Sequence, residues 1–194
     1  MRLGPWLVIR GTAIMGILMI LVIRSLISMP VLASASDEAP AVSENSDPSA
    51  SWNTSDCHVS SKFPPTILQW CAPITQYAES AGLSPNLIAA VMLQESGGKP
   101  AAYSASGAVG LMQVMPRDGI AASFTCANGP CFANRPSMQE LFDPDFNIQY
   151  GVRMLAGLFS RTQSLREALK AYGPMSVGYY YADKVLAIFE RYQD

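Results

Sequence analysis

The chain divides by the spacing of its apolar residues into three regions. Gly11 to Ile23 is an apolar run, preceded by Arg2 and Arg10 and closed by Arg24. Residues 36–56 are poor in aliphatic side chains and rich in Ser, Ala, Pro and acids. Such a segment cannot bury enough apolar area to offset its ordering entropy, which predicts a disordered linker. From Cys57 onward, apolar positions recur at helical spacing and strand alternation is weak.

The helical region is well punctuated. Ile74, Tyr77, Ala78 and Ala81 share one face, with Gly82 as a stop. Ser84-Pro85 places a cap before a first-turn proline and opens a helix over Asn86 to Ser96, which Gly97-Gly98-Lys99-Pro100 ends. Asp143-Pro144 opens another, carrying Phe146, Tyr150, Met154, Leu155, Leu158 and Phe159. Ser164-Leu-Arg-Glu167 is a capping box for a short helix ending at Gly173-Pro174. Ser176 is the candidate cap of the last helix, whose buried side is expected to hold Val177, Tyr181, Val185, Ile188, Phe189 and Tyr192. Met115 to Asp143 is less regular. The prediction is one mainly α, compact domain over 57–194 with a stapled loop around Gly129-Pro130.

Two readings of residues 1–35 are open. As a signal peptide, the basic start and apolar run lead to Ala33-Ser34-Ala35 and cleavage after Ala35. As a retained membrane anchor, the run must extend to about 20 residues. That extension takes in Arg10 or Arg24, and a central Arg costs about 2.5–3.5 kcal/mol. The signal peptide avoids that cost. Either reading exports the remainder, to the periplasm or cell envelope, with a possible membrane tether in the second case.

Charge sharpens the picture. The net charge of −2 conceals an asymmetry: all 15 acidic residues follow Ala35, against ten basic ones, which leaves −5 there. No basic patch for phosphates results, so nucleic acid is not an expected partner. Cys57, Cys71, Cys126 and Cys131 make an even set for an oxidising compartment. Of three pairings, Cys57–Cys71 and Cys126–Cys131 is preferred, because short separations keep partners close in any fold. Zinc fails on spacing: no Cys-x-x-Cys occurs, and the single histidine, His58, lacks a second. His58 reads as an ordinary exposed residue, and no metal or cofactor is expected.

The candidate chemistry lies at the end of the second helix. Leu87-Ile-Ala-Ala-Val-Met-Leu93 is apolar on every face, the mark of a central buried helix, and Gln94-Glu95 ends it. Burial and the helix C-terminus both raise a carboxyl pKa, as a general acid requires. An exposed helix end beside flexible glycines is the equal alternative on position alone. Next comes Ser104-Ala-Ser-Gly-Ala-Val-Gly-Leu-Met-Gln-Val-Met-Pro116, a two-glycine turn followed by an apolar run broken by Gln113. A lone amide there needs partners, which sugar hydroxyl and acetamido groups or backbone carbonyls can supply.

Glu95-Ser96, Ser104, Gly107-Ala-x-Gly-Leu-Met-Gln113, Asn147-Ile148 with Gly151, and Ala171-Tyr172, in that order, resemble the soluble lytic transglycosylase catalytic domain, a relative of goose-type lysozyme. The resemblance covers roughly Ala72 to Tyr192 and implies a lysozyme-like helical fold. It implies that Glu95 is the sole catalytic acid and base, and that Ser104, Gln113, Met115 and Tyr172 line a cleft for peptidoglycan glycan strands. Ser96 matches the serine after the glutamate, where a structural role is at least as natural. One position departs: the family usually reads Ala-Tyr-Asn, and Gly173 stands here for the asparagine. Tyr172 is open between cleft and core, as are Tyr179 and Tyr180; Tyr181 is expected in the core.

Ordinary glycosidases use two carboxylates about 5–5.5 Å or about 6.5–9.5 Å apart. No Asp or Glu occurs between Ser96 and Arg117. The resemblance implies instead that the muramic acid 6-hydroxyl attacks C1, so that the cut leaves a 1,6-anhydro end. A hydrolytic lysozyme would need a second carboxylate, with Asp118, Asp143 and Asp145 the nearest in sequence. A catalytically silent peptidoglycan-binding envelope module is the other alternative.

Overall fold

A computed structural model of the chain describes residues 56–193. The expected signal or anchor, its cleavage site and all but the last linker residue lie outside the described residues. Among the described residues there are seven α-helices: α1 (Pro65–Leu68), α2 (Cys71–Ser80), α3 (Pro85–Glu95), α4 (Met138–Leu141), α5 (Pro144–Thr162), α6 (Leu165–Tyr172) and α7 (Tyr180–Tyr192). The only strands among the described residues form a hairpin of β1 (Thr125–Cys126) and β2 (Gly129–Pro130), with Cys126 opposite Gly129. The fold is mainly α, as expected. No helix among the described residues is long and apolar enough to cross a membrane.

The core is built around α3, which packs on α2 and α7, while α5 packs on α2, α4 and α6. Ile88 to Met92 are fully buried and Leu87 nearly so, so its all-round apolar sequence reflects neighbours on every side. Gly82 takes φ +67 after α2, where a left-handed residue ends the helix. Asp143 caps α5 by accepting from the Phe146 N–H at 2.8 Å.

Several local expectations are corrected. Ser84 occupies the cap position of α3 but makes no side-chain cap bond. Ser164 accepts from the Glu167 N–H, yet Glu167 does not reciprocate; its carboxylate takes the Tyr179 hydroxyl instead. Ser176 caps nothing, because it lies in a 3-10 turn over Met175–Val177. Gly178 then turns the chain at φ +58, and α7 begins only at Tyr180. Val177 is consequently exposed, whereas Tyr181 and Val185 are buried. Within the stretch expected to be irregular, Ser137 and Glu140 form a complete capping box on α4. A four-residue helix is too short to show a period.

Both preferred disulfides are present, Cys57–Cys71 with Cα atoms 5.3 Å apart and Cys126–Cys131 at 5.0 Å. The first ties the entering segment to the start of α2; the second closes the hairpin. His58 is exposed, with Nδ1 2.5 Å from Oε1 of Glu79.

Candidate active site

Glu95 is the last residue of α3, carried outward from the buried centre of the domain. The turn after it is pinned from two sides. Just past α3, Ser96 Oγ donates to the Leu111 carbonyl at 2.8 Å and accepts from the Gly98 N–H at 3.1 Å. From α5, Asn147 is fully buried. Its Oδ1 accepts from Met112 N–H at 2.8 Å, and its Nδ2 donates to the Val109 and Leu141 carbonyls at 3.0 and 2.8 Å. Met112 N–H and the Leu141 carbonyl thereby gain partners in the interior, and the Val109 carbonyl, which also accepts from Val114 N–H at 3.0 Å, gains a second. Gly110 makes this approach possible: it takes φ +77, and a Cβ there would lie 2.2 Å from Nδ2 of Asn147. Ser96 and Asn147 thus act as braces of the turn.

Tyr172, at the end of α6, donates its hydroxyl to the Met112 carbonyl at 2.8 Å. Its ring stacks on Tyr181, with centroids 6.5 Å apart and planes at 17°. Tyr181 is almost wholly buried, as expected for a core residue. Its hydroxyl nevertheless donates to Oε1 of Glu95 at 2.5 Å. Burial raises the Glu95 carboxyl to about 7, and the Tyr181 hydrogen bond opposes that rise in part. Burial and the Glu95 charge hold both phenols well above their usual range, while Arg135 pulls Tyr172 slightly the other way.

No second carboxylate perturbs Glu95. The three candidates are engaged elsewhere: Asp118 accepts from Met138 N–H at 2.7 Å, Asp143 caps α5, and Asp145 accepts the Tyr77 hydroxyl at 2.6 Å. The site therefore offers one carboxyl poised to give and take a proton near neutrality.

The remaining expected residues stand on the turn. Ser104 Oγ accepts from Ala108 N–H at 2.9 Å. Gln113 takes φ 46 and donates its amide to the carbonyls of Gly110 and Ala102 at 2.9 and 3.3 Å. The backbone therefore supplies donors' partners for Gln113, leaving Oε1 without a partner among the described residues. Met115 is half-buried just beyond. None of the three is hydrogen-bonded to Glu95 among the described residues. A surface groove of about 660 Å³ between α2 and α5, lined by Gln76, Tyr77 and Arg153, contains none of these residues.

Sequence reasoning missed the Tyr181 hydroxyl, the clamp role of Asn147, and Arg135. An all-buried polar residue in the apolar stripe of α5 was the available signal for Asn147. Helical spacing turned Tyr181 inward, but nothing in the sequence showed that its hydroxyl meets Glu95.

The sequence profile of the Transglycosylase SLT domain family matches residues 72–178, which include Glu95, the glycine turn, Asn147 and Tyr172. The chain belongs to the SLT transglycosylase domain family. Tyr181 lies beyond the matched span of this SLT domain. Among its relatives is the endo-type membrane-bound lytic murein transglycosylase A of Klebsiella pneumoniae subsp. pneumoniae, 40% identical over 90 residues that make up 46% of this chain and 42% of that protein. Another is the membrane-bound lytic murein transglycosylase E of Buchnera aphidicola, 35% identical over 101 residues, 52% of this chain and 44% of that one. The matched part of the SLT chain thus spans less than half the length of these curated relatives. A solved structure of an inactive mutant of lytic transglycosylase Slt from Pseudomonas aeruginosa aligns with a TM-score of 0.48 at 25% identity, covering 62% of this chain and 23% of that one.

Proposed function

We propose that this SLT domain is a peptidoglycan lytic transglycosylase with Glu95 as its single catalytic acid and base. The observation that carries the reading is a lone carboxyl raised to about 7, held by Tyr181 and influenced by no second carboxylate. The protonated Glu95 gives its proton to the glycosidic oxygen between N-acetylmuramic acid and N-acetylglucosamine as the C1–O bond breaks. The muramic 6-hydroxyl oxygen then bonds to C1 and returns its proton to Glu95. No water is consumed, and the product ends in 1,6-anhydromuramic acid.

Ser104, Gln113, Met115 and Tyr172 line the glycan cleft in this scheme. Ser104 keeps a hydroxyl proton to donate, and Gln113 keeps Oε1 to accept. Tyr172 keeps its oxygen to accept, with its proton committed to the Met112 carbonyl. The names of the relatives, together with the apolar N-terminal run, support placement in the cell envelope, after signal cleavage at Ala35 or on a retained anchor.

Mass spectrometry of products from purified peptidoglycan tests the proposal. Ends lighter by one water than hydrolysed ends are expected. Hydrated ends would instead indicate a hydrolytic lysozyme, and no release a silent binding module.

A further inference from the structure

We infer that Arg135 is a receptor for a carboxylate of the substrate, delivered beside Tyr172 by the disulfide-closed hairpin; the inference rests on the proposed glycan substrate. Arg135 is half-buried, and no carboxylate pairs with it among the described residues. Arg117 and Arg166, by contrast, meet Glu140 and Asp183 at the surface. Arg135 Nη1 points at Met154 Sδ, a weak acceptor, and the guanidinium lies 5.9 Å from the Phe132 ring centroid. That distance is close to the outer limit of about 6 Å for a cation–π contact. A guanidinium has five donors, and these two neighbours leave its charge without an anion.

Its place in the fold points to the site. Met154 lies one helical turn along α5 from Gly151, so both face the same way. A Cβ on Gly151 would lie 3.2 Å from the Tyr172 hydroxyl and 2.6 Å from the Met112 side chain. Through Met154 the cation thus reaches the side of α5 on which Gly151 meets the Tyr172 hydroxyl, and its charge is felt there. Tyr172 in turn stacks on Tyr181, which holds Glu95.

The surrounding chain is built to hold Arg135 rather than to bury it. Its N–H donates to the Phe132 carbonyl at 2.9 Å, and its own carbonyl accepts from Arg117 at 3.2 Å. Phe132 leans on Phe124 with centroids 6.0 Å apart, and Cys131 N–H bonds the Phe124 carbonyl at 2.9 Å. Phe124 and both residues of β1 are exposed, so the hairpin has little core, and Cys126–Cys131 supplies its rigidity. A planar guanidinium so braced suits bidentate capture of a carboxylate. Peptidoglycan offers two sources: the lactyl group of muramic acid where no peptide is attached, and the stem peptide where one is.

The test compares the wild type with Arg135→Gln and Arg135→Lys on three substrates. These are peptide-bearing strands, peptide-stripped strands with free lactyl carboxylates, and the same strands with every carboxylate amidated. Losing a charge-assisted bond should raise KM about 10- to 100-fold in Arg135→Gln, with kcat within about twofold, and Arg135→Lys should recover part of the loss. The wild type itself should lose the same factor on amidated strands, with no variant needed. Loss confined to stripped strands assigns the lactyl group; loss confined to peptide-bearing strands assigns the stem. Equal wild-type KM on native and amidated strands overturns the inference, as does an equal defect of Arg135→Gln on both. If the wild type forms no anhydro ends on any strand, the catalytic reading itself fails and Arg135 with it.

Discussion

Tyr181 donates its hydroxyl to Glu95 Oε1 at 2.5 Å from 86 residues further along the chain. The bond favours the charged carboxylate and so works against the burial that raises Glu95 to about 7. Removing the hydroxyl should raise the carboxyl further. In Tyr181→Phe the alkaline limb of kcat/KM, set by loss of the Glu95 proton, should move up by about one pH unit. An unmoved limb with reduced activity would mean that Tyr181 serves only packing.

Gly173 stands against the Tyr181 ring, and a Cβ there would lie 2.4 Å from its Cγ and Cδ1. The asparagine usual in the family therefore has no room beside this ring placement. Gly173→Asn should displace Tyr181 and reproduce the Tyr181→Phe pH profile with an added loss of stability. Thermal melting and pH–rate curves of the variant check both effects.

Glu95→Gln keeps the side-chain shape and the Tyr181 bond but cannot cycle a proton. Activity should fall at least ~10²–10⁴-fold, with glycan binding retained. The linkage has a definite sign: the folded carboxyl titrates near 7 and the unfolded one near 4.5. The folded state thus holds more protons between these values, and wild-type stability falls as pH rises through that window. The cost approaches about 3 kcal/mol above pH 7. The stability gap between Glu95→Gln and wild type should grow from pH 4.5 to 7 and then level off. Denaturant unfolding at several pH values measures it, and a constant gap would refute the raised carboxyl.

Asn147→Ala strands Met112 N–H and the Leu141 carbonyl in the interior and removes one of the two donors to the Val109 carbonyl, which keeps Val114 N–H. At about 1–3 kcal/mol for each unpaired group, the variant should lose several kcal/mol or fail to fold. Asn147→Asp, which keeps one acceptor and loses both donor bonds, should also be destabilised. Urea unfolding with a shift below about 1 kcal/mol would contradict the clamp.

Reduction should lower the melting temperature, because Cys126–Cys131 closes a hairpin with little core and Cys57–Cys71 ties the entering segment, with Val59, Phe63 and Ile67 in the core, to α2. Scans with and without reductant decide it. Selective loss of Cys126–Cys131 should also weaken substrate affinity more than kcat, since the hairpin carries Arg135 toward Tyr172.

Local chemistry determined much of this protein from the sequence alone. The all-round apolar run of α3, the caps at Asp143 and Ser164, the stop at Gly82 and the short cysteine separations depend on neighbours a few residues away. Their outcome is therefore legible in one dimension. Glu95 was legible in part: its position at the end of α3 left a buried carboxyl and an exposed helix end equally open, and the motif that follows it favoured the first. Tertiary structure decided what depends on residues far apart. Ser84 could cap by position yet makes no bond, and Gly178 moved the start of α7 past Ser176. Asn147 found its three backbone partners only when α5 met the turn around Gly110. Tyr181, rather than Tyr179 or Tyr180, reached Glu95 because only its face of α7 packs inward at that point. Such pairings form through packing of elements that share no local pattern, so no spacing along the chain encodes them.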